Sequence, residues 1–240
     1  MPAVGLRFRS LLFVPADQPA RLEAAFSSGT DAVVADLEDA VPPDRKDAAR
    51  VVVADRLAGM TGAARVVRVN APETGLTEAD LEAVAGLPVD AIVLPKATPE
   101  AVDRLGPTGP PVIAIIETGA GLRLAYEIAC MPRVAALALG AADLAVELRL
   151  GQRPDALELL YARSKLVVDS AAAGVRAPFD RVFPGLKDVD GLRADARFAL
   201  ELGFGGKSCT HPSQPEVVND VFDARSRPSP TSKEALFDDS

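Results

Sequence analysis

The sequence is poor in the residues that build zinc sites and disulfide frameworks: 240 residues include two cysteines, Cys130 and Cys209, and one histidine, His211. The cysteines stand far apart in no metal-ligand spacing and are too few to staple a fold, so a reducing cytoplasm suits the chain. A lone histidine excludes a His-rich zinc cluster and leaves it more readily a packed or capping residue than a catalyst. Basic residues are also in deficit. Against 34 Asp and Glu stand 26 Lys and Arg, a formal charge of −8, which argues against a surface that neutralises nucleic-acid phosphates. Apolar runs are short. None approaches the roughly 20 residues that span a bilayer, and the run at 11–14 is broken by Pro15 and Asp17, so it is no export signal. No Gly-rich dinucleotide fingerprint follows the first strand-like run, which disfavours a Rossmann fold.

What is present is alternation. Eight short β-rich apolar runs, at 10–15, 32–38, 65–70, 91–96, 112–118, 136–140, 177–183 and 205–210, alternate with longer segments of helical period such as 18–26, 45–57, 78–85 and 120–130. Most runs are continuously apolar rather than alternating, as expected of parallel strands buried on both faces. Eight such units in 240 residues predict a (β/α)₈ (TIM) barrel forming a single domain over residues 1–222. Residues 223–240, rich in Pro, Ser and charge, are expected to be a flexible polar tail. Helix starts are expected at Asp17, Thr77 and Thr98. Residues 140–154 interrupt the rhythm ahead of a long helix at 155–173.

Barrels carry their chemistry at the carboxyl ends of the strands. That rule selects Asp36, Glu38 and Asp39 after the second run, Arg68 and Asn70 after the third, Lys96 after the fourth, Glu117 after the fifth and Asp143 after the sixth. Buried charges need partners, and four or five converging carboxylates need a cation. With no imidazole or thiolate at hand, a hard oxygen-rich site suits Mg²⁺ or Mn²⁺ better than zinc. Each residue also has a plainer reading. Asp36, Glu38 and Asp39 suit a solvated loop, Arg68 suits a salt bridge to Glu38 or Asp36 as well as it suits an organic carboxylate, and Asp143 suits a helix cap. Glu117, closing the five apolar residues at 112–116, is the hardest to read plainly. Arg9 and Arg21 read as ordinary surface arginines rather than phosphate contacts.

The strings Arg9-Ser10-Leu11-Leu12-Phe13-Val14-Pro15, Asp36-Leu37-Glu38-Asp39-Ala40-Val41, Arg68-Val69-Asn70, Leu94-Pro95-Lys96, Ile116-Glu117-Thr118, Gly140 to Leu144, and Gly206-Lys207 with His211-Pro212-Ser213-Gln214 together resemble the HpcH/HpaI aldolase and citrate lyase beta-subunit family. The resemblance implies a cytoplasmic Mg²⁺-dependent carbon–carbon lyase. Its substrates would be 3-hydroxyacyl-CoA esters such as citryl-, malyl- or citramalyl-CoA, with an oxo acid (oxaloacetate, glyoxylate or pyruvate) as partner. It implies that Glu117 and Asp143 bind the metal, that Glu38 and Asp39 hold the metal's waters, and that Arg68 grips the oxo-acid carboxylate with help from the backbone of Gly140, Ala141, Ala142 and Asp143. It also implies a homo-oligomer, a trimer or a multiple of trimers. Two features depart from the family. Position 142 is alanine where many relatives carry glutamate, and the family's C-terminal Gly-x-Met-Val/Ile-Asp motif, whose aspartate transfers the proton, has no counterpart in these 240 residues. A CoA-independent metal-dependent aldolase, or a non-catalytic relative that binds Mg²⁺ and an oxo acid, therefore stands beside the lyase.

Overall fold

In the computed structural model, which describes residues 6–151, 153 and 155–223, eight parallel strands close into a barrel in sequence order, with the last strand paired back to the first. They are β1 (Ser10–Pro15), β2 (Ala32–Asp36), β3 (Ala64–Arg68), β4 (Ala91–Leu94), β5 (Val112–Ile116), β6 (Val134–Leu139), β7 (Arg176–Asp180) and β8 (Gly206–Cys209). Among the described residues the helices are α1 (Pro19–Ala25), α2 (Lys46–Arg56), α3 (Thr77–Val84), α4 (Pro99–Arg104), α5 (Gly119–Arg123), α6 (Ala125–Ala129), α7 (Ala141–Glu147), α8 (Leu160–Ala173), α9 (Val189–Leu202) and α10 (Gln214–Asp223). The (β/α)₈ architecture expected from the alternation is the one the chain forms.

Side-chain parity explains why the strands are apolar throughout. Residues of one parity, including Leu11, Val34, Val66, Val93, Ile113 and Phe179, fill the barrel. Their neighbours of the other parity, such as Leu12, Val33, Val67, Ile92, Ala114 and Leu137, pack outward in one cluster with Leu22, Val53, Leu122 and Leu166 of the helices. Both faces are thus removed from water. Each fully buried Val, Leu or Ile stabilises the fold by about 1.5–3 kcal/mol relative to exposure, so a charge at any of these positions would break the layer it enters.

Several local expectations shift. The run at 120–130 forms two short helices rather than one, because Leu124 at φ −97°, ψ 15° breaks the ladder between α5 and α6. The long helix begins at Leu160, not 155: Ala156 adopts φ 51° and a 3-10 turn, Leu157–Leu159, intervenes. It ends where expected, on Gly174 at φ 71°, a left-handed conformation that glycine adopts without steric cost. The interruption after the sixth strand is itself helical over α7, where Leu144 is buried. Of the three expected helix starts, Thr98 is a side-chain cap, its Oγ1 accepting the Ala101 N–H at 3.1 Å. Thr77 instead lies inside α3 and donates to the Asn70 carbonyl at 2.9 Å, and Asp17 pairs with Arg45 at 3.5 Å. Apart from Asp223, the tail at 223–240 lies outside the described residues. Among those residues no helix is long and apolar enough to cross a membrane.

Candidate active site

The inward parity of the strands runs on into the rim, and there the side chains change character. Asp36 closes β2 directly opposite Arg68, which closes β3. Glu117 follows β5 at once, Gly140 follows β6 at once, and Ser208 lies in β8. These residues line a cavity of about 430 Å³ with Asp39 and Asp143 on its wall, at the carboxyl ends of the strands.

One side of the mouth is organised around Arg68. Its Nε and Nη2 donate to the two oxygens of Asp36 at 2.7 and 2.6 Å. Its Nη1 lies 2.8 Å from Glu38 Oε2, without the alignment of a hydrogen bond, and 3.5 Å from Asp39 Oδ2. The guanidinium stands 5.3 Å from the centre of the Phe13 ring. Asp36 also receives the N–H groups of Glu38 (2.9 Å) and Ala40 (3.3 Å), while Lys46 Nζ donates to the carbonyls of Leu37 and Glu38. The turn after β2 is thereby folded back onto Arg68. Burial weakens the Arg68 charge, but Asp36, then Glu38 and Asp39, outweigh it and hold its proton more firmly than usual. Burial likewise raises the Glu38 carboxyl to about 7, opposed by Arg68 and reinforced by Asp39 and Asp36. Of the two readings left open for Arg68, the structure shows the salt bridge, and the Nε/Nη2 edge of its fork is committed to Asp36.

The other side is organised around Glu117, which is 3% exposed. Its Oε1 accepts the Lys96 N–H at 2.7 Å, a donor aimed by an unusual backbone, since Lys96 sits at φ 47°. Gly140 lies against its other flank: a Cβ there would be 2.4 Å from Glu117 Cβ and 2.5 Å from Oε2. Burial pushes the Glu117 carboxyl up to about 8, the Lys96 N–H draws it down, and the charges of Glu38 and Asp143 add to the rise. Asp143 reaches the cavity from the first turn of α7. It is not the helix cap, a place taken by Gly140 without any side-chain hydrogen bond.

Asp36, Asp39, Glu117 and Asp143 do converge on the mouth, but not as one ligand cluster. Among the described residues no group of three or more His, Cys, Asp and Glu is arranged to hold a metal, because Arg68 engages Asp36, Glu38 and Asp39. Glu117 and Asp143 remain as a pair. Mg²⁺ is commonly held by one or two carboxylates with water and substrate oxygens completing the octahedron, so this pair fits a hard dication. Glu117 in particular combines burial, one hydrogen bond and two negative neighbours, an environment that a cation would relieve.

Other candidates lie elsewhere. Asn70 faces the helical layer, its N–H and Nδ2 both donating to Asp80 Oδ2 at 2.7 Å, and Arg50 completes that buried cluster. The Gly140 N–H is bound to the Ile116 carbonyl at 3.0 Å, which leaves the first-turn amides of Ala141, Ala142 and Asp143 as the ones without an intrahelical partner. His211 is exposed in a local turn with Ser213 at 2.8 Å. Arg9 is tied to Asp31 and Asp223 at the opposite end of the barrel, whereas Arg21 lines the mouth. The rim reading missed Phe13, Pro15, Ser208 and Thr210 of the cavity wall. The inward parity of β1 and β8 was the signal that would have found them.

Residues 9–212 match the family described as HpcH/HpaI aldolase/citrate lyase. The (3S)-malyl-CoA thioesterase of Cereibacter sphaeroides is 39% identical over 221 residues, 90% of this chain and 77% of the relative. Citrate lyase subunit beta of Leuconostoc mesenteroides subsp. cremoris is 35% identical over 243 residues, 94% of this chain and 78% of the relative. Among solved structures, the CitE protein of Mycobacterium tuberculosis in complex with magnesium, acetoacetate and coenzyme A superposes with a TM-score of 0.81 at 35% identity, covering 96% of this chain and 84% of that one.

Proposed function

The chain belongs to the HpcH/HpaI aldolase/citrate lyase family, and from that premise we propose that it is a Mg²⁺-dependent carbon–carbon lyase acting on a 3-hydroxyacyl-CoA. Citryl-, malyl- and citramalyl-CoA are the substrates to try, with oxaloacetate, glyoxylate or pyruvate as the oxo-acid product. The observation that supports the reading is that Glu117, Asp143 and Arg68 line one cavity at the carboxyl ends of the strands.

Glu117 and Asp143 would hold the metal, Mn²⁺ being an alternative occupant. Such an ion would supply Lewis acidity to the oxo-acid half of the substrate. Arg68 supplies a fixed positive charge to the same carboxylate through the part of its guanidinium not committed to Asp36, with Asp36 holding that guanidinium in place. The amides of Ala141, Ala142 and Asp143 offer donors beside it. Glu38 and Asp39, next to Arg68 Nη1, accept hydrogen bonds from water at the mouth and orient it. In cleavage of malyl-CoA the alcohol loses its proton, the bond between the carbinol carbon and the methylene breaks, and the electron pair passes into the thioester enolate. That enolate takes up a proton to become acetyl-CoA, leaving glyoxylate.

Thioester hydrolysis is the second reading, favoured by the 39% identity to a malyl-CoA thioesterase. One assay separates the two. The protein is incubated with Mg²⁺ and each of the three CoA esters, and products are resolved by chromatography. A lyase releases an oxo acid and a shorter acyl-CoA in equal amounts; a thioesterase releases free CoA and the intact hydroxy acid. Binding of an oxo acid with neither set of products would contradict both and leave the non-catalytic relative, while cleavage of the free acid would point to a CoA-independent aldolase. A homo-oligomer, trimeric or a multiple of it, is the assembly proposed, to be checked by light scattering.

A further inference from the structure

The two proposed metal carboxylates sit on separate segments, and the second is weakly anchored. Asp143 belongs to α7, a seven-residue helix with Leu144 as its buried residue, no side-chain cap at its start, and Ala142, Asp143, Val146 and Glu147 exposed. Residues four apart in a helix share a face, one turn of about 6 Å apart along the axis. Glu147 therefore stands on the Asp143 side of α7, facing the turn after β5. From there Glu147 Oε1 accepts the N–H of Gly119 at 3.0 Å. Gly119 is two residues beyond Glu117, and the intervening Thr118 is extended (φ −127°, ψ 156°) with its Oγ1 tied to the Gly121 N–H at 2.9 Å. Besides the backbone bond from the Gly140 N–H to the Ile116 carbonyl at the start of α7, this side-chain hydrogen bond joins the far end of the helix carrying Asp143 to the turn carrying Glu117.

We infer that Glu147 is a positioning residue, whose bond to Gly119 sets the separation at which Glu117 and Asp143 share a metal. The inference rests on the reading of that pair as the metal carboxylates. Because the bond is exposed, it contributes little to global stability; its effect falls on the geometry of the pair.

The test is a Mn²⁺ titration of the whole chain, read by electron paramagnetic resonance of free Mn²⁺, for the parent, Glu147→Ala, Glu147→Gln, Gly119→Pro and the Glu147→Ala/Gly119→Pro double variant. Proline removes the donor yet suits the first position of α5, because Thr118 is already in the extended conformation a following proline demands. Glu147→Ala and Gly119→Pro should each weaken Mn²⁺ binding about ten-fold, the scale on which residues orienting metal ligands act, and the double variant should be no weaker than either, as for two ends of one bond. Glu147→Gln, which keeps an accepting oxygen, should stay within about three-fold of the parent, and melting temperatures of the metal-free variants should agree with the parent within roughly 2 °C. Parent-like Mn²⁺ binding by Glu147→Ala, simple addition of the two losses, or an equal loss in Glu147→Gln overturns the inference while leaving the metal pair intact. A parent chain that takes up no Mn²⁺ removes the pair and the inference with it.

Discussion

Gly140→Ala tests the contact on which the mouth is built. Gly140 has φ −88°, outside the left-handed region that favours glycine, so the substitution acts mainly through space. The added methyl would lie 2.4 Å from Glu117 Cβ, 2.5 Å from Glu117 Oε2 and 2.8 Å from Ile115 Cγ2, where carbon atoms at rest stand about 3.5–4.0 Å apart. All three atoms belong to Ile115 of β5 or to Glu117 just after it, and Glu117 Cβ is fixed by the backbone, so the side chain cannot simply swing aside. The β5–β6 junction must open. Overpacking of this kind costs about 1–3 kcal/mol, which in a domain of this size lowers the melting temperature by roughly 2–12 °C. The same displacement moves the Glu117 carboxylate away from Asp143, so Mn²⁺ affinity should fall at least about ten-fold. Differential scanning calorimetry and a Mn²⁺ titration check both, with Val146→Ala, an exposed change on the same helix, as the control. A Gly140→Ala protein with parent-like melting and parent-like Mn²⁺ binding would refute the packing argument.

Three further outcomes are expected. In metal-free protein, Glu117 (about 8) and Glu38 (about 7) hold protons that unfolded carboxyls release near 4.5. The folded state binds more protons across that window, and stability declines as pH rises through it. The urea midpoint in EDTA should fall between about pH 4.5 and 8, Glu117→Gln should flatten the upper part, and a rising midpoint in the parent would contradict the assignment. Arg68→Lys loses the paired contacts to Asp36, and an ammonium cannot reproduce that fork; oxo-acid affinity measured calorimetrically should drop by about ten-fold or more, and unchanged affinity would remove Arg68 from substrate binding. Asp180 accepts from Arg163 Nε and Nη2 (3.0 and 2.6 Å) and Lys207 Nζ (2.6 Å), all three residues being inaccessible to solvent. Asp180→Ala leaves both buried cations to Asp195, 3.3 Å from Arg163 and 2.6 Å from Lys207, and denaturation should show a loss of about 3–5 kcal/mol; a loss under about 1 kcal/mol would mean that Asp195 alone compensates them.

The barrel was legible because parallel strands buried on both faces leave continuous apolar runs, and eight of them leave little choice of closure. Their ends were less legible. The second run was read through Glu38, but β2 stops at Asp36, whose carboxylate draws in the amides of Glu38 and Ala40 and turns the chain. The fourth was read through Lys96, whose positive φ no local pattern announces. Asp36, Arg68 and Glu117 could be found from the rim rule, and a strict parity count would have added Phe13 and Ser208. Asn70 was misplaced because β3 ends at Arg68 and the chain turns outward to Asp80, a partner ten residues away that pairing rules do not identify. That Arg68 engages Asp36, Glu38 and Asp39 at once was less legible, since it depends on which acids an arginine side chain can touch once the barrel has closed. So was the buried Arg163, Asp180 and Lys207 cluster, assembled from α8, β7 and β8.

The most direct measurement is the anomalous scattering of Mn²⁺ in crystals of the whole chain grown with that ion. One strong peak should appear in the mouth within about 2.3 Å of carboxylate oxygens of both Glu117 and Asp143. A peak bound elsewhere, or no peak at saturating Mn²⁺, would contradict the shared metal on which the proposed chemistry depends.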